Sequence, residues 1–131
     1  MYWPDPFTNW YEAHSSSGVT STGTQWVLAE GEVGGALGFE TYVLVANPNG
    51  AAASVTLTFL KHNEPRTILT RTVPANGRLT VSAAEAGLPS GTQFGVVIGA
   101  TQSIAVEPAM YWNGGAQFWR AGTNETGIRM R

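Results

Sequence analysis

Apolar and polar residues alternate with period two along much of this chain, and Pro, Gly and Asn interrupt them at short intervals. That pattern limits the possible folds more than any other feature. Val55, Leu57 and Phe59 alternate with Thr56 and Thr58, which puts the apolar set on one face of a half-buried strand. Phe94, Val96 and Ile98 share a face, with Gln93, Gly95 and Val97 between them. Ile104, Val106, Pro108, Met110 and Trp112 line up in the same way, with Glu107 and Tyr111 on the opposite side. Leu79 and Val81 repeat the pattern briefly, and Gln25–Glu30 adds another strand. The run Thr41-Tyr42-Val43-Leu44-Val45-Ala46 is continuously apolar and rich in β-formers, so it is expected as a central strand buried on both sides.

The breaks between these runs are turn chemistry. Asn47-Pro48-Asn49-Gly50 separates the strand around 39–46 from that around 53–61, because Pro presets φ and Asn-Gly tolerates positive φ. His62-Asn63-Glu64-Pro65 separates the latter from 66–73, and Pro74-Ala75-Asn76-Gly77 leads into 78–82. Gly87-Leu88-Pro89-Ser90-Gly91 is a further loop, preceded by one short helical turn at Ala83–Ala86. No window sustains a 3.6-residue period. The expected fold is all-β, an immunoglobulin-like sandwich of about seven or eight strands. Its core is expected from Phe39, Val43, Val45, Val55, Leu57, Phe59, Leu79, Val81, Phe94, Val96, Ile98, Ile104 and Val106.

The chain also repeats itself. Met1-Tyr2-Trp3 returns 109 residues later as Met110-Tyr111-Trp112, and the same offset carries Trp10 onto Trp119 and Gly18 onto Gly127. Tryptophan is rare, so two tryptophan pairs at one offset mark an internal repeat. The organisation that follows has three parts. Residues 1–23 are homologous to the C-terminal segment, residues 24–112 form the β-sandwich, and residues 113–131 form an aromatic Gly/Asn/Thr-rich end. The two ends are rich in Ser, Gly and Asn yet carry Phe7, Trp10, Tyr11, Phe118 and Trp119. Ordered loops pinned by rings are expected there, since a flexible linker has no use for them.

Composition removes several function classes. Charged residues make up 12% with a net charge of −2, so a broad basic surface for nucleic acid is out of reach. No apolar run approaches the ~18–20 residues of a membrane-spanning helix. The chain has no cysteine, which excludes disulfides, thiolate metal sites and Cys nucleophiles. His14 and His62 fall in different loops without a zinc spacing. Glu30, Glu32 and Glu40 crowd a Gly-rich stretch but match no calcium-loop or glycosidase pattern. Ser15, Ser16 and Ser17 follow His14 without a nucleophile elbow. Asn124-Glu125-Thr126 is a glycosylation sequon, relevant only in a host that uses it. No catalytic residue, metal or cofactor is expected.

Two constellations remain. Arg78 opens a strand, while Glu30 and Glu107 interrupt apolar ones. A charge in such a setting must pair or face solvent, so an ion-pair cluster of Arg78 with Glu30, Glu107 or both is expected to fix strand register. Tyr2, Trp3, Trp10, Trp112, Phe118 and Trp119 form an aromatic set at the two chain ends. They fit a junction between modules, or a platform for stacking on sugars.

Four segments carry a family resemblance: Trp26-Val27-Leu28-Ala29-Glu30-Gly31, Phe39 to Asn49, Val73-Pro74-Ala75-Asn76-Gly77-Arg78-Leu79-Thr80-Val81, and Val106-Glu107-Pro108-Ala109-Met110-Tyr111-Trp112. In this order they resemble a tandemly repeated β-sandwich module of large secreted bacterial proteins. The resemblance covers residues 24–112 and departs at Pro108, where a residue such as Arg is expected after the Glu. It implies an extracellular or cell-surface structural and adhesive module without catalytic residues. The start Met1-Tyr2-Trp3-Pro4-Asp5 lacks the charge and apolar core of a signal peptide, which leaves a mature fragment, an excised repeat or a cytoplasmic protein; an excised extracellular segment is expected because the sequence begins in mid-motif. The expected partners are copies of the chain or adjacent repeats, assembled head to tail, with no nucleic acid and no membrane insertion. A carbohydrate-binding module is the alternative, and a small hydrolase a remote one.

Overall fold

The alternating segments form the strands their pattern implies. The structure, a computed structural model, describes residues 2–4, 10–13, 15–114 and 117–130, with side-chain surroundings for 15–114 and 121–130. Ten strands follow one another among these residues: β1 (Tyr2–Pro4), β2 (Trp10–Ala13), β3 (Gly23–Val33), β4 (Glu40–Asn47), β5 (Ala53–Lys61), β6 (Thr67–Val73), β7 (Gly77–Ser82), β8 (Thr92–Gly114), β9 (Gln117–Asn124) and β10 (Ile128–Arg129). The expected turn at Ala83–Ala86 is a 3-10 turn. Ser82 caps it by accepting from the Ala84 amide while Glu85 reaches back to the Ser82 amide, and Gly87 ends it in the left-handed region. That is the reciprocal pattern of a capping box closed by glycine.

β8 organises the sandwich. It is 23 residues long, several times the ~5–6 residues of a mean strand, and it serves both sheets. Its first half pairs antiparallel with β3, from Gly23↔Ile104 to Val33↔Thr92, and with β5, from Val55↔Ala100 to Lys61↔Phe94. Its second half pairs with β4, from Glu40↔Tyr111 to Ala46↔Ala105, and with β9, from Ala109↔Asn124 to Gly114↔Gln117. One sheet therefore runs β10–β3–β8–β5–β6 and the other β7–β4–β8–β9. Where β8 passes between sheets, the Ser54 amide donates to Thr101 Oγ1 at 2.9 Å and Asn49 Nδ2 donates to Ser103 O at 2.7 Å.

The Asn47-Pro48-Asn49-Gly50 turn carries the chain from β4 in one sheet to β5 in the other. Asn47 is 1% exposed. Its Nδ2 donates to Ala51 O and Pro74 O, and its Oδ1 accepts from the Asn49 amide and side chain. A buried amide with this many partners makes the crossing rigid instead of costing stability.

The core lies between the two sheets. Trp26, Leu28, Val43, Val45, Val55, Leu57, Phe59, Val73, Val81, Phe94, Val96, Ile98, Ile104 and Val106 are buried together. Phe59 and Phe94 meet edge to face at 5.2 Å, the favoured arrangement of two rings. Phe39 and Leu79, expected in this core, are only half-buried. β4 also departs from expectation. Its inward residues Thr41, Val43, Val45 and Asn47 are buried, while Tyr42 and Leu44 are half-buried and Ala46 is exposed. A strand central in its sheet still has one outer face when only one sheet covers it.

Proline inside β8 needs a place where no amide donor is wanted. Pro108 lies opposite Val43 on β4, and its carbonyl turns the other way to accept from the Glu125 amide at 3.3 Å. N and O of one residue share a side of the strand, so the missing N–H does not interrupt the β4 ladder. Nor does the C-terminal end beyond 112 stand apart from the sandwich. β9 is an edge of one sheet and β10 an edge of the other. Its Gly, Asn and Thr content conceals two short edge strands.

Candidate functional site

The internal repeat has a structural counterpart. β1 pairs with β2 as Tyr2↔Ala13 and Trp3↔Glu12, and the register then shifts before Pro4↔Trp10. β8 pairs with β9 as Tyr111↔Gly122 and Trp112↔Ala121, and the register then shifts before Gly114↔Gln117. Every residue of the first two pairs is 109 positions from its counterpart. Both hairpins also lose register immediately after the repeated tryptophan. Thus the leading hairpin β1–β2 has the strand pairing of the closing hairpin β8–β9, and β2 lies beside β9.

The segments that follow the two hairpins run side by side. Ser16 Oγ donates to Glu107 Oε1 and accepts from Asn124 Nδ2, the latter at 2.6 Å. Thr126 Oγ1 donates to Ser17 O at 2.7 Å, and Arg129 Nη1 donates to Thr22 O at 3.1 Å. Val19 packs against the core from the same segment. In the sequence, Ser16 and Ser17 belong to a serine run after His14, and Asn124 and Thr126 to a sequon. Nothing in their spacing signals a polar seam, which arises from segments more than a hundred residues apart.

One pair of equivalents behaves differently. Gly127 donates its amide to Val106 O at 3.1 Å, and a Cβ there would lie 2.9 Å from that carbonyl oxygen and 3.1 Å from the Trp26 ring. Around Gly18, its counterpart, nothing lies within 4 Å of a Cβ.

Of the aromatic set, Trp112 has described surroundings. It is half-buried and meets Phe39 with ring centroids 5.5 Å apart. Tyr2, Trp3 and Trp10 lie on β1 and β2, and Phe118 and Trp119 on β9, with side chains outside the described residues. Trp26 is 1% exposed, donates Nε1 to Gly23 O and belongs to the core. His14 also lies outside the described residues. Among the described residues no three His, Asp or Glu side chains converge as metal ligands.

The expected ion-pair cluster does not form. Arg78 makes no ion pair with Glu30 or Glu107, and the described salt bridges are Lys61–Glu64 and Arg71–Glu85. The reason is register. Arg78 lies opposite Ala46 on β4, and Glu107 lies opposite Leu44 on that strand's other side. Two strand spacings, about 9–10 Å, and a two-residue offset therefore separate them, and Ser16 holds Glu107 instead. Glu30 belongs to the other sheet, where β3 gains one residue between Leu28↔Val96 and Gly31↔Phe94. That bulge exposes both Ala29 and Glu30, as extra residues in a ladder do.

The bulge opens a groove of about 450 Å³ lined by Glu30, Glu32, Phe39, His62, Gln93 and Met110, among others. Glu32 accepts there from Gln93 Nε2 at 3.2 Å. Glu40 faces away from it and accepts from the Tyr42 hydroxyl. Burial, and then this hydrogen bond, push the Tyr42 phenol up to about 12. Burial also raises Tyr111, whose ring meets Tyr42 edge to face at 6.0 Å.

With the geometry in place, comparison with known proteins adds the fold and little more. No family model and no curated protein matches the sequence. Among solved structures, the chain is similar to Thermotoga maritima 1070, with a TM-score of 0.76 and 11% identity over 83% of this chain and 96% of that one. It is also similar to the Anabaena sensory rhodopsin transducer, with a TM-score of 0.57 and 27% identity over 66% of this chain and 95% of that one. The all-β fold is shared.

Proposed function

We propose that this chain is a non-enzymatic structural repeat module that packs end to end with neighbouring modules, on a cell surface or in a secreted fibre. The observation that carries the reading is the shared register of β1–β2 and β8–β9 up to the repeated tryptophan, after which both hairpins shift, though by different amounts. A leading hairpin built like the closing hairpin is what a chain contains when one module ends where the next begins. Gly18 supports the same reading. Its counterpart Gly127 is crowded by its own module, whereas Gly18 has open space where a preceding module's Val106 and Trp26 would stand.

A chain in which residues 1–131, carrying Glu125→Ser, are followed directly by a second copy of 23–131 tests this, because the closing segment of the first copy then offers the second the serine that Ser16 offers Glu107 here. Repeat modules gain stability from their interfaces, so the two-copy chain should unfold at a higher midpoint than the single chain. If both copies unfold independently at the single-chain midpoint, the module reading is wrong.

The groove favours a second reading, a carbohydrate-binding module. Glu30, Glu32 and Gln93 offer hydrogen-bonding groups beside Phe39, Phe94 and Met110, the mixture of polar and apolar lining that small ligands use. Binding on a glycan array that is lost in Gln93→Ala would support it. Absence of any glycan binding would remove it.

A further inference from the structure

The polar seam between the leading and closing segments identifies which neighbour the module accepts. This step rests on the repeat reading above. The seam joins Asn124 to Ser16, Thr126 to Ser17 and Arg129 to Thr22, which are 108, 109 and 107 residues apart. The repeat offset is 109, so Ser17 lies against its own counterpart, Ser16 against the residue next to its counterpart, and Thr22 against the residue two before its own. In an array, the closing segment of one module is the leading segment of the next. The contacts inside this chain are then the contacts between successive modules.

Two of these contacts do not depend on side-chain identity in the neighbour. Thr126 and Arg129 both donate to backbone carbonyls, which any closing segment in the same path presents. The contact at Ser16 does depend on it. Ser16 donates to the Glu107 carboxylate and accepts from Asn124. The counterpart of Ser16 in the closing segment is Glu125. An identical copy docked in this path would bring a carboxylate against Glu107, where a hydroxyl now donates. Two ionised carboxylates in hydrogen-bonding range repel, and a half-buried one feels this more than an exposed one. Arg78 lines the same groove over β4 as Glu107 but forms no ion pair with it, so it lessens this repulsion only from a distance.

We infer that Glu107 selects the neighbour: the face built by Glu107, Asn124, Thr126 and Arg129 takes the closing segment of a related module with a hydrogen-bond donor at the position of Ser16, and rejects an identical copy. One repulsive contact added to otherwise neutral backbone contacts is how specificity among similar partners is commonly achieved. The module therefore belongs in an array of non-identical copies, and it does not polymerise with itself through this face.

The full chain allows the contact to be rebuilt internally. Ser16→Glu places at the seam the group that an identical neighbour would bring. Ser16→Gln has the same size and can still donate, without the charge. Ser16 lies outside the buried core, so the sandwich should stay folded in both variants. Amide hydrogen exchange over residues 17–22 and 124–129 reads the seam directly. Exchange in Ser16→Glu should be about tenfold faster than in Ser16→Gln, the effect of one pK unit of carboxylate repulsion. Adding Glu107→Gln to Ser16→Glu should restore protection. Equal exchange in Ser16→Glu and Ser16→Gln would overturn the inference, as would failure of Glu107→Gln to rescue, because size and not charge would then be at work. A raised midpoint in the two-copy chain alongside either result would leave the module reading standing and remove only the selection by Glu107.

Discussion

Gly18 and Gly127 occupy equivalent positions in the repeat, yet replacing each with Ala should have opposite effects. At Gly127 a Cβ would lie 2.9 Å from Val106 O, 3.1 Å from Trp26 Cε3 and 3.3 Å from Leu28 Cδ2. The first contact is β8 backbone held by pairing on β4, and Trp26 is 1% exposed. Neither can swing aside, and the 3.1 Å hydrogen bond from the Gly127 amide to Val106 O must stretch as well. Overpacking of this kind costs roughly 1–3 kcal/mol. At Gly18 nothing lies within 4 Å of the added atom, and φ is outside the left-handed region. Alanine there narrows the unfolded ensemble and should stabilise by about 0.4–1 kcal/mol. The two variants should thus differ by roughly 1.5–4 kcal/mol, with the wild type between them. Urea unfolding followed by tryptophan fluorescence measures all three under one baseline. If Gly18→Ala lowers the midpoint as far as Gly127→Ala does, crowding by the module's own core is not what separates the two positions.

Phe59→Ala should cost about 3–5 kcal/mol in the same assay, because Phe59 is fully buried and meets Phe94 at 5.2 Å; a loss under about 1 kcal/mol would place the core on the wrong face of β5. Tyr42, raised from 10.0 to about 12, keeps its proton in the folded state after the unfolded chain has lost it. Its contribution to stability is therefore complete below pH 10 and declines as pH rises from 10 to about 12. Phenolate absorbance should show a late-ionising tyrosine that Tyr42→Phe removes, and an unchanged late step in that variant would assign it elsewhere.

Most of the fold was legible in the sequence because alternation and turn chemistry are local. The runs around Val55, Phe94 and Val106 declare which face is apolar within a few residues. The Asn-Pro-Asn-Gly and Pro-Ala-Asn-Gly turns declare where each strand stops. The repeat was legible for a similar reason, since two tryptophan spacings at one offset need no three-dimensional knowledge. Side-chain pairing was less accessible. Arg78, Glu30 and Glu107 looked alike as lone charges in apolar strands, but their partners depend on register and on a bulge. One extra residue in β3 was enough to turn Glu30 to solvent.

By itself, then, the sequence determined an all-β sandwich, most of its core and a segment occurring twice. Only the tertiary structure decided that β8 serves both sheets, that the two hairpins share one register, and that Ser16 and not Arg78 meets Glu107. Alternation records which side of a strand is buried, and it is written residue by residue. Which strands become neighbours, and which residues then face each other, is settled by packing between segments far apart in the chain. No local pattern encodes that choice.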